Sequence, residues 1–150
     1  MSIFQKLIKK PANNTTPKTY ISSKNYNGVP IEIDRFIEES KKHLEEDYAV
    51  LEKEGIESII RRRFLPWFIT DNFKDRDENL IFEGLKIDSI VYCYSLYVDR
   101  FSPTNKSEQI GRFDFFFTSG NDYVSDMMES VSMQVYVLHG QIVKVDGNEV

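Results

Sequence analysis

Residues 87–98 read IDSIVYCYSLYV, and this stretch decides how the rest of the chain must fold. Side chains of an extended strand point alternately to opposite faces. Ile90, Tyr92, Tyr94, Leu96 and Val98 then share one face, and Ile87, Val91, Cys93 and Tyr97 share the other. Both faces are mostly apolar, which puts the strand inside a sheet covered on both sides.

The flanks follow from that strand. SPTNKS at 102–107 is a cluster of turn formers. Residues 111–118 form the next strand, with Phe113, Phe115 and Phe117 on one face and Arg112, Asp114 and Thr118 on the other. Phe116 is the exception on the polar face, so a helix or a partner covers it there. Each buried Phe stabilises the fold by roughly 1.5–3 kcal/mol. Tyr123, Val124, Met127, Met128 and Val131 follow a helical pattern, so residues 121–130 are expected to be a short helix. Residues 133–138 and 141–145 alternate around His139-Gly140 as a hairpin, and 146–148 read as a polar tail.

Upstream, Asn27-Gly28 is a hairpin turn, with Val29, Ile31 and Ile33 alternating after it. Pro30 cannot donate a ladder hydrogen bond, so that arm is expected at a sheet edge. Asp34 is a candidate N-cap for a helix running to about Glu54. Ile37, Leu44, Tyr48 and Leu51 share its buried face, and Gly55 suits its C-terminus. Glu38 and Lys42 form an i,i+4 pair on the outer face. A second helix should span Ile56 to Phe64 and end at Pro66, which disfavours a helical Leu65. Arg61, Arg62 and Arg63 close it and point in three directions, as cations suited to the negative helix end. Trp67 and Phe68 are expected to plug the join between helices and sheet, and residues 80–82 to form a short strand.

Composition bounds the outcome. At 150 residues the chain is expected to be one domain, which buries roughly 68–70% of its unfolded surface. Eleven Phe and eight Tyr are too many for a solvated coil. Residues 1–30 carry five lysines and no acid; residues 31–150 carry the other 14 bases and all 24 acids, a net −10. An acidic body argues against general nucleic-acid binding. No stretch is apolar for long enough to cross a membrane as a helix. Nor does the N-terminus resemble a signal peptide, so the expected compartment is the cytoplasm. Ile3, Phe4, Leu7 and Ile8 make a two-turn stripe beside Lys6, Lys9 and Lys10. Residues 1–19 are expected to be a loosely packed arm, with peripheral membrane adaptation as one use for it.

The sequence contains no phosphate-loop, dinucleotide, nucleophile-elbow or HExxH motif. One Cys and two His, in three different elements, are too few for a zinc site, so no cofactor or metal is expected. Asp75, Asp77 and Asn79 match the first ligands of a calcium loop, but Leu80 replaces its glycine and Lys86 its bidentate glutamate. Cys93 lies in a hydrophobic strand, where a thiol is inert. His43 and His139 are expected to face solvent.

These readings converge on an α+β fold: a mainly antiparallel sheet of four to six strands, with N-terminal helices packed on one face. The function that fits is non-catalytic: a small acidic binding protein, in its sharpest form a toxin-neutralising immunity-type inhibitor. Glu38, Glu45 and Glu52, with Asp71, Asp75, Asp77 and Glu78, would meet a basic protein surface. The competing reading is a cone-shaped ligand-binding or simple enzymatic domain, with Tyr92, Tyr94 and Asp114 lining an aromatic pocket.

Overall fold

The computed structural model describes residues 20–34, 36–72, 76–121, 124 and 131–149. The arm at 1–19 therefore lies outside the described residues, as does most of the expected helix at 121–130, of which only Val124 is seen, fully buried. The two-faced strand is β3 (Leu85–Tyr97). It sits third in a six-stranded sheet whose strands lie side by side in chain order. The others are β1 (Tyr20–Tyr26), β2 (Val29–Ile33), β4 (Glu108–Ser119), β5 (Val131–Leu138) and β6 (Gln141–Glu149).

Every neighbouring pair is antiparallel except β2 and β3. A parallel pair cannot be joined by a tight turn, so the chain must cross over between them. The crossover holds all the described α-helices: α1 (Ile37–Glu54), α2 (Ile56–Ile59), α3 (Leu65–Asn72) and α4 (Glu78–Gly84). Two strands therefore precede the helices, which are not strictly N-terminal. The fold is α+β, with helical side chains packed onto one face of a mainly antiparallel sheet.

The expected core is the observed one except at the far end of the central strand, where Leu96 and Val98 are exposed because neither β2 nor β5 extends that far. Phe113, Phe115 and Phe117 join Ile90 and Tyr92 beneath Leu44, Tyr48, Leu51, Phe64 and Phe68. Gly55 ends α1 at φ 90°, a backbone angle that favours glycine. Asn27-Gly28 and His139-Gly140 both take the paired positive φ of a tight hairpin turn.

Five local expectations need correction. β2 is interior rather than an edge: Pro30 faces Asn25 of β1, and pairing with β3 begins one residue later, at Ile31. Asp34 does not cap α1; its N–H extends the ladder to the Tyr92 carbonyl (3.0 Å), and the helix starts after Phe36, held at φ 56°. Pro66 does not end the helical run. A π-helical stretch, Ile60–Phe64, comes first, and Pro66 falls in the opening turn of α3, where a missing N–H costs little. Residues 80–82 lie in α4 rather than a strand, because the Asp77 carboxylate accepts from the N–H groups of Asn79 and Leu80 and caps a helix there. The tail at 146–148 belongs to β6, completing its ladder with β5.

Gly147 explains how that last strand fits. A Cβ there would overlap the Trp67 ring and come within 2.7 Å of Phe64. Trp67 is still 37% exposed while Phe68 is fully buried, so the LPWF segment does close the helix–sheet join at this glycine. Gly147→Ala is expected to cost about 1–3 kcal/mol in urea unfolding through overpacking. The cost should shrink in a Trp67→Leu background, and equal costs in both backgrounds would refute the contact.

Candidate functional site

The most concentrated chemistry lies where α1 meets β3. Ser40, His43 and Asp47 are spaced by three and four along α1, so they project from one side of the helix. β2 stops pairing with β3 at Tyr92, which leaves the N–H of Tyr94 without a strand partner. The Ser40 hydroxyl accepts that N–H at 3.0 Å. His43 stacks on the Tyr94 ring, with centroids 3.8 Å apart and planes 13° from parallel. One turn further on, the Tyr92 hydroxyl donates to Asp47 Oδ2 at 2.5 Å.

Gly111 of β4, directly opposite Tyr94, makes room for this carboxylate. A Cβ at Gly111 would overlap Asp47 Oδ2 and come within 2.8 Å of the Tyr92 hydroxyl. Asp47 is only 7% exposed. Burial raises its pKa from 3.8 to about 6, although the Tyr92 hydrogen bond and nearby His43 pull it back. Tyr92 is driven upward by burial and then by Asp47, so its phenol stays protonated. A carboxyl near pH 6 can exchange a proton under physiological conditions. Here, however, strand backbone and the Tyr92 ring occupy its surroundings. The arrangement is a polar joint between helix and sheet.

A second cluster lies on the opposite face of the sheet. Arg112 Nε pairs with Asp114 Oδ1 at 2.8 Å, and Arg112 Nη1 donates to the Tyr97 hydroxyl at 2.8 Å. Tyr97 meets Tyr136 edge to face at 5.8 Å. Burial raises the Asp114 pKa, and Arg112 counteracts it. Burial alone would lower Arg112, but Asp114, Tyr97 and Tyr136 outweigh it and hold the guanidinium charged. Cys93 is buried beside this group, its thiol pushed up by burial.

Tyr92 and Tyr94 therefore face the helices, whereas Asp114 points away from them. A shallow groove of about 250 Å³ does lie between β1 and α1, but Tyr20, Ser22, Ser23, Lys24, Lys41 and Leu44 line it instead. Glu38, Glu45 and Glu52 are exposed along α1. Asp77 and Glu78 are exposed at the start of α4, where Asp77 is engaged as the cap. Asp75 and the side chain of Asp71 lie outside the described residues. His43 is half-buried by its stacking on Tyr94, while His139 is exposed at its turn. The three arginines diverge: Arg61 lies over Phe82 and donates to Asn79, Arg62 is exposed, and Arg63 forms a two-pronged pair with Glu54. Lys42 pairs with Glu39 rather than Glu38.

Sequence reasoning passed over Asp47, although one signal was present: it stands between Leu44 and Leu51 within the apolar stripe of α1. Among the described residues no group of His, Cys, Asp or Glu is arranged to hold a metal ion, and no helix is long and apolar enough to cross a membrane. Comparisons with protein-family models, curated proteins and solved structures return no match.

The joint predicts a pH dependence. The folded pKa of Asp47 lies above the ordinary 3.8, so between about pH 4 and 6 the folded state keeps a proton that the unfolded chain has released. Its contribution is full below that window and falls by about 3 kcal/mol as pH rises through it. Asp47→Asn keeps an acceptor for Tyr92 but cannot titrate. The stability of the native chain relative to Asp47→Asn should decline from pH 4 to 6.5 in urea melts; a flat difference would show that Asp47 titrates normally.

Proposed function

We propose that this is a non-catalytic binding protein whose outer α1 face engages a partner protein with a basic surface. The observation that carries this reading is the exposed acidic line Glu38, Glu45 and Glu52 on an 18-residue helix. Residues seven apart in a helix lie nearly in register, so the three carboxylates form a row along the axis. The ion pairs on this face, Lys42–Glu39 and Lys24–Glu45, leave Glu38 and Glu52 outside them. Such a row contributes chiefly to association rate and partner choice. A toxin-neutralising immunity-type inhibitor is the sharpest form of the reading: a small acidic chain that covers a basic working surface.

The test is affinity capture from the cells that make the protein, at low salt, with the native chain and a Glu38→Lys/Glu52→Lys variant. The native chain should recover a stoichiometric basic partner. With that partner purified, the variant should associate about tenfold more slowly, with a weaker salt dependence. Repeated recovery of no stoichiometric partner would count against the proposal.

A further inference from the structure

The sheet ends at β1 on one side and at β6 on the other. An outermost strand is a template for a further strand unless something interrupts it. β1 is interrupted: its ladder passes from Ile21↔Glu32 to Asn25↔Pro30, so Ser22, Ser23 and Lys24 stand against Ile31 alone. The Ser22 hydroxyl fills the break, donating to the Ile31 carbonyl at 2.7 Å and accepting the Lys24 N–H at 3.2 Å. A bulge of this kind bends an edge away from further pairing. β6 differs. It has one extra residue, Val143, near its start, and then stays in register with β5 from Lys144↔Tyr136 to Glu149↔Val131. Among the described residues no strand lies beyond it.

The regular part of β6 carries an ordered pair of charges. Lys144 and Asp146 are two residues apart, so both side chains stand on the same face of the sheet. Val145 between them packs on the helix-facing core. The two charged side chains are 48% and 46% exposed, with Nζ and Oδ2 3.7 Å apart. Asp146 also accepts the Gly147 N–H at 3.1 Å, a hydrogen bond that leaves the carboxylate its charge. Along the chain the edge therefore reads positive, then negative. The same strand run in reverse reads negative, then positive.

We propose that the β6 edge is a self-association surface whose occupant is a second copy of this chain, its own β6 added antiparallel about a two-fold axis through Val145. Lys144 of each copy then faces Asp146 of the other. Opposite charges directly across a strand pair attract, and like charges repel. The pair within each copy is kept, so the four charges alternate in sign around a square. The charges also select the axis. Side chains opposite each other in a ladder share a face, so the axis must pass through a residue rather than between two. Placed at Lys144 or Asp146, it sets like charges against each other; placed at Gly147, it gives neither charge a counterpart. Only Val145 joins both pairs. A two-fold contact uses the same patch on both copies, and this edge is complementary to itself. The inference does not depend on the acidic row of α1.

The experiment is sedimentation equilibrium of the full chain at low salt over a wide concentration range. The native chain should show a reversible monomer–dimer equilibrium that weakens as salt is added. Lys144→Asp alone, and Asp146→Lys alone, each place four like charges at the seam and should weaken dimerisation at least about tenfold. An equimolar mixture of those two variants should form a mixed dimer, because one supplies only carboxylates and the other only ammonium groups. The double reversal Lys144→Asp/Asp146→Lys restores the alternation and should dimerise like the native chain. Both side chains are half-exposed, so circular dichroism of every variant should match the native spectrum; if a single variant unfolds, the double reversal carries the test. A native chain that stays monomeric, a dimer indifferent to either single reversal, single variants that do not associate when mixed, or a double reversal that fails to dimerise would each overturn the proposal.

Discussion

The hydrogen bond from Tyr92 to Asp47 is the constraint on which the helix–sheet arrangement depends. A carboxylate taken out of water must find a partner or become protonated, and an apolar contact satisfies neither demand. Tyr92 is the fully buried residue at the middle of the central strand, and its ring lies 4.6 Å from that of Phe113. Once Asp47 has found it, the rotation and axial position of α1 over β3 are specified. Ser40 then falls opposite the open N–H of Tyr94, and His43 falls over the Tyr94 ring. Greasy residues alone, such as Leu44 and Leu51, would tolerate small slides along the sheet; a polar joint with fixed geometry does not.

The two sides of the sheet are built differently. The helix-facing side is an aromatic and aliphatic core crossed by one polar seam. The other side mixes Val91 and Cys93 with an Arg112–Asp114 pair, two tyrosines and a Ser132–Gln134 hydrogen bond. Phe116, the apolar exception on the polar face of β4, is half-buried within that second layer. A buried ion pair of this kind contributes little net stability but disfavours arrangements that would separate its members.

Much of the architecture was legible because it rests on periodicity. The two-faced pattern at 87–98, the alternating phenylalanines and the stripe of α1 each follow from one repeat length. Glycine-bearing turns were equally plain, since Gly28, Gly55 and Gly140 occupy positive-φ positions. What escaped depends on neighbours distant in sequence. Pro66 reads as a terminator until the π-helical stretch before it resets the hydrogen-bond register. Leu80-Ile81-Phe82 suits strand or helix equally, and the Asp77 carboxylate decides between them. The candidate surfaces divide in the same way. Exposed glutamates on α1 can be read from helical spacing. That β6 is an edge cannot, because the order of strands across the sheet decides it.

The parallel pairing of β2 with β3 also bears on how the chain reaches this state. Ile31 lies opposite Ile90, so the whole helical segment must be in place, or at least looped out, before that contact can close. The contacts of β3 through β6 are by contrast between successive strands, and ring closure for neighbours is entropically cheaper. The β2–β3 pair therefore closes a much longer loop than the pairs within the β3–β6 meander. Without the first hairpin, the edge of β3 that pairs with Ile31 to Ile33 would be an open template for any extended segment. The first hairpin, separated from β3 by the long crossover, is thus the guard of that edge against mispairing.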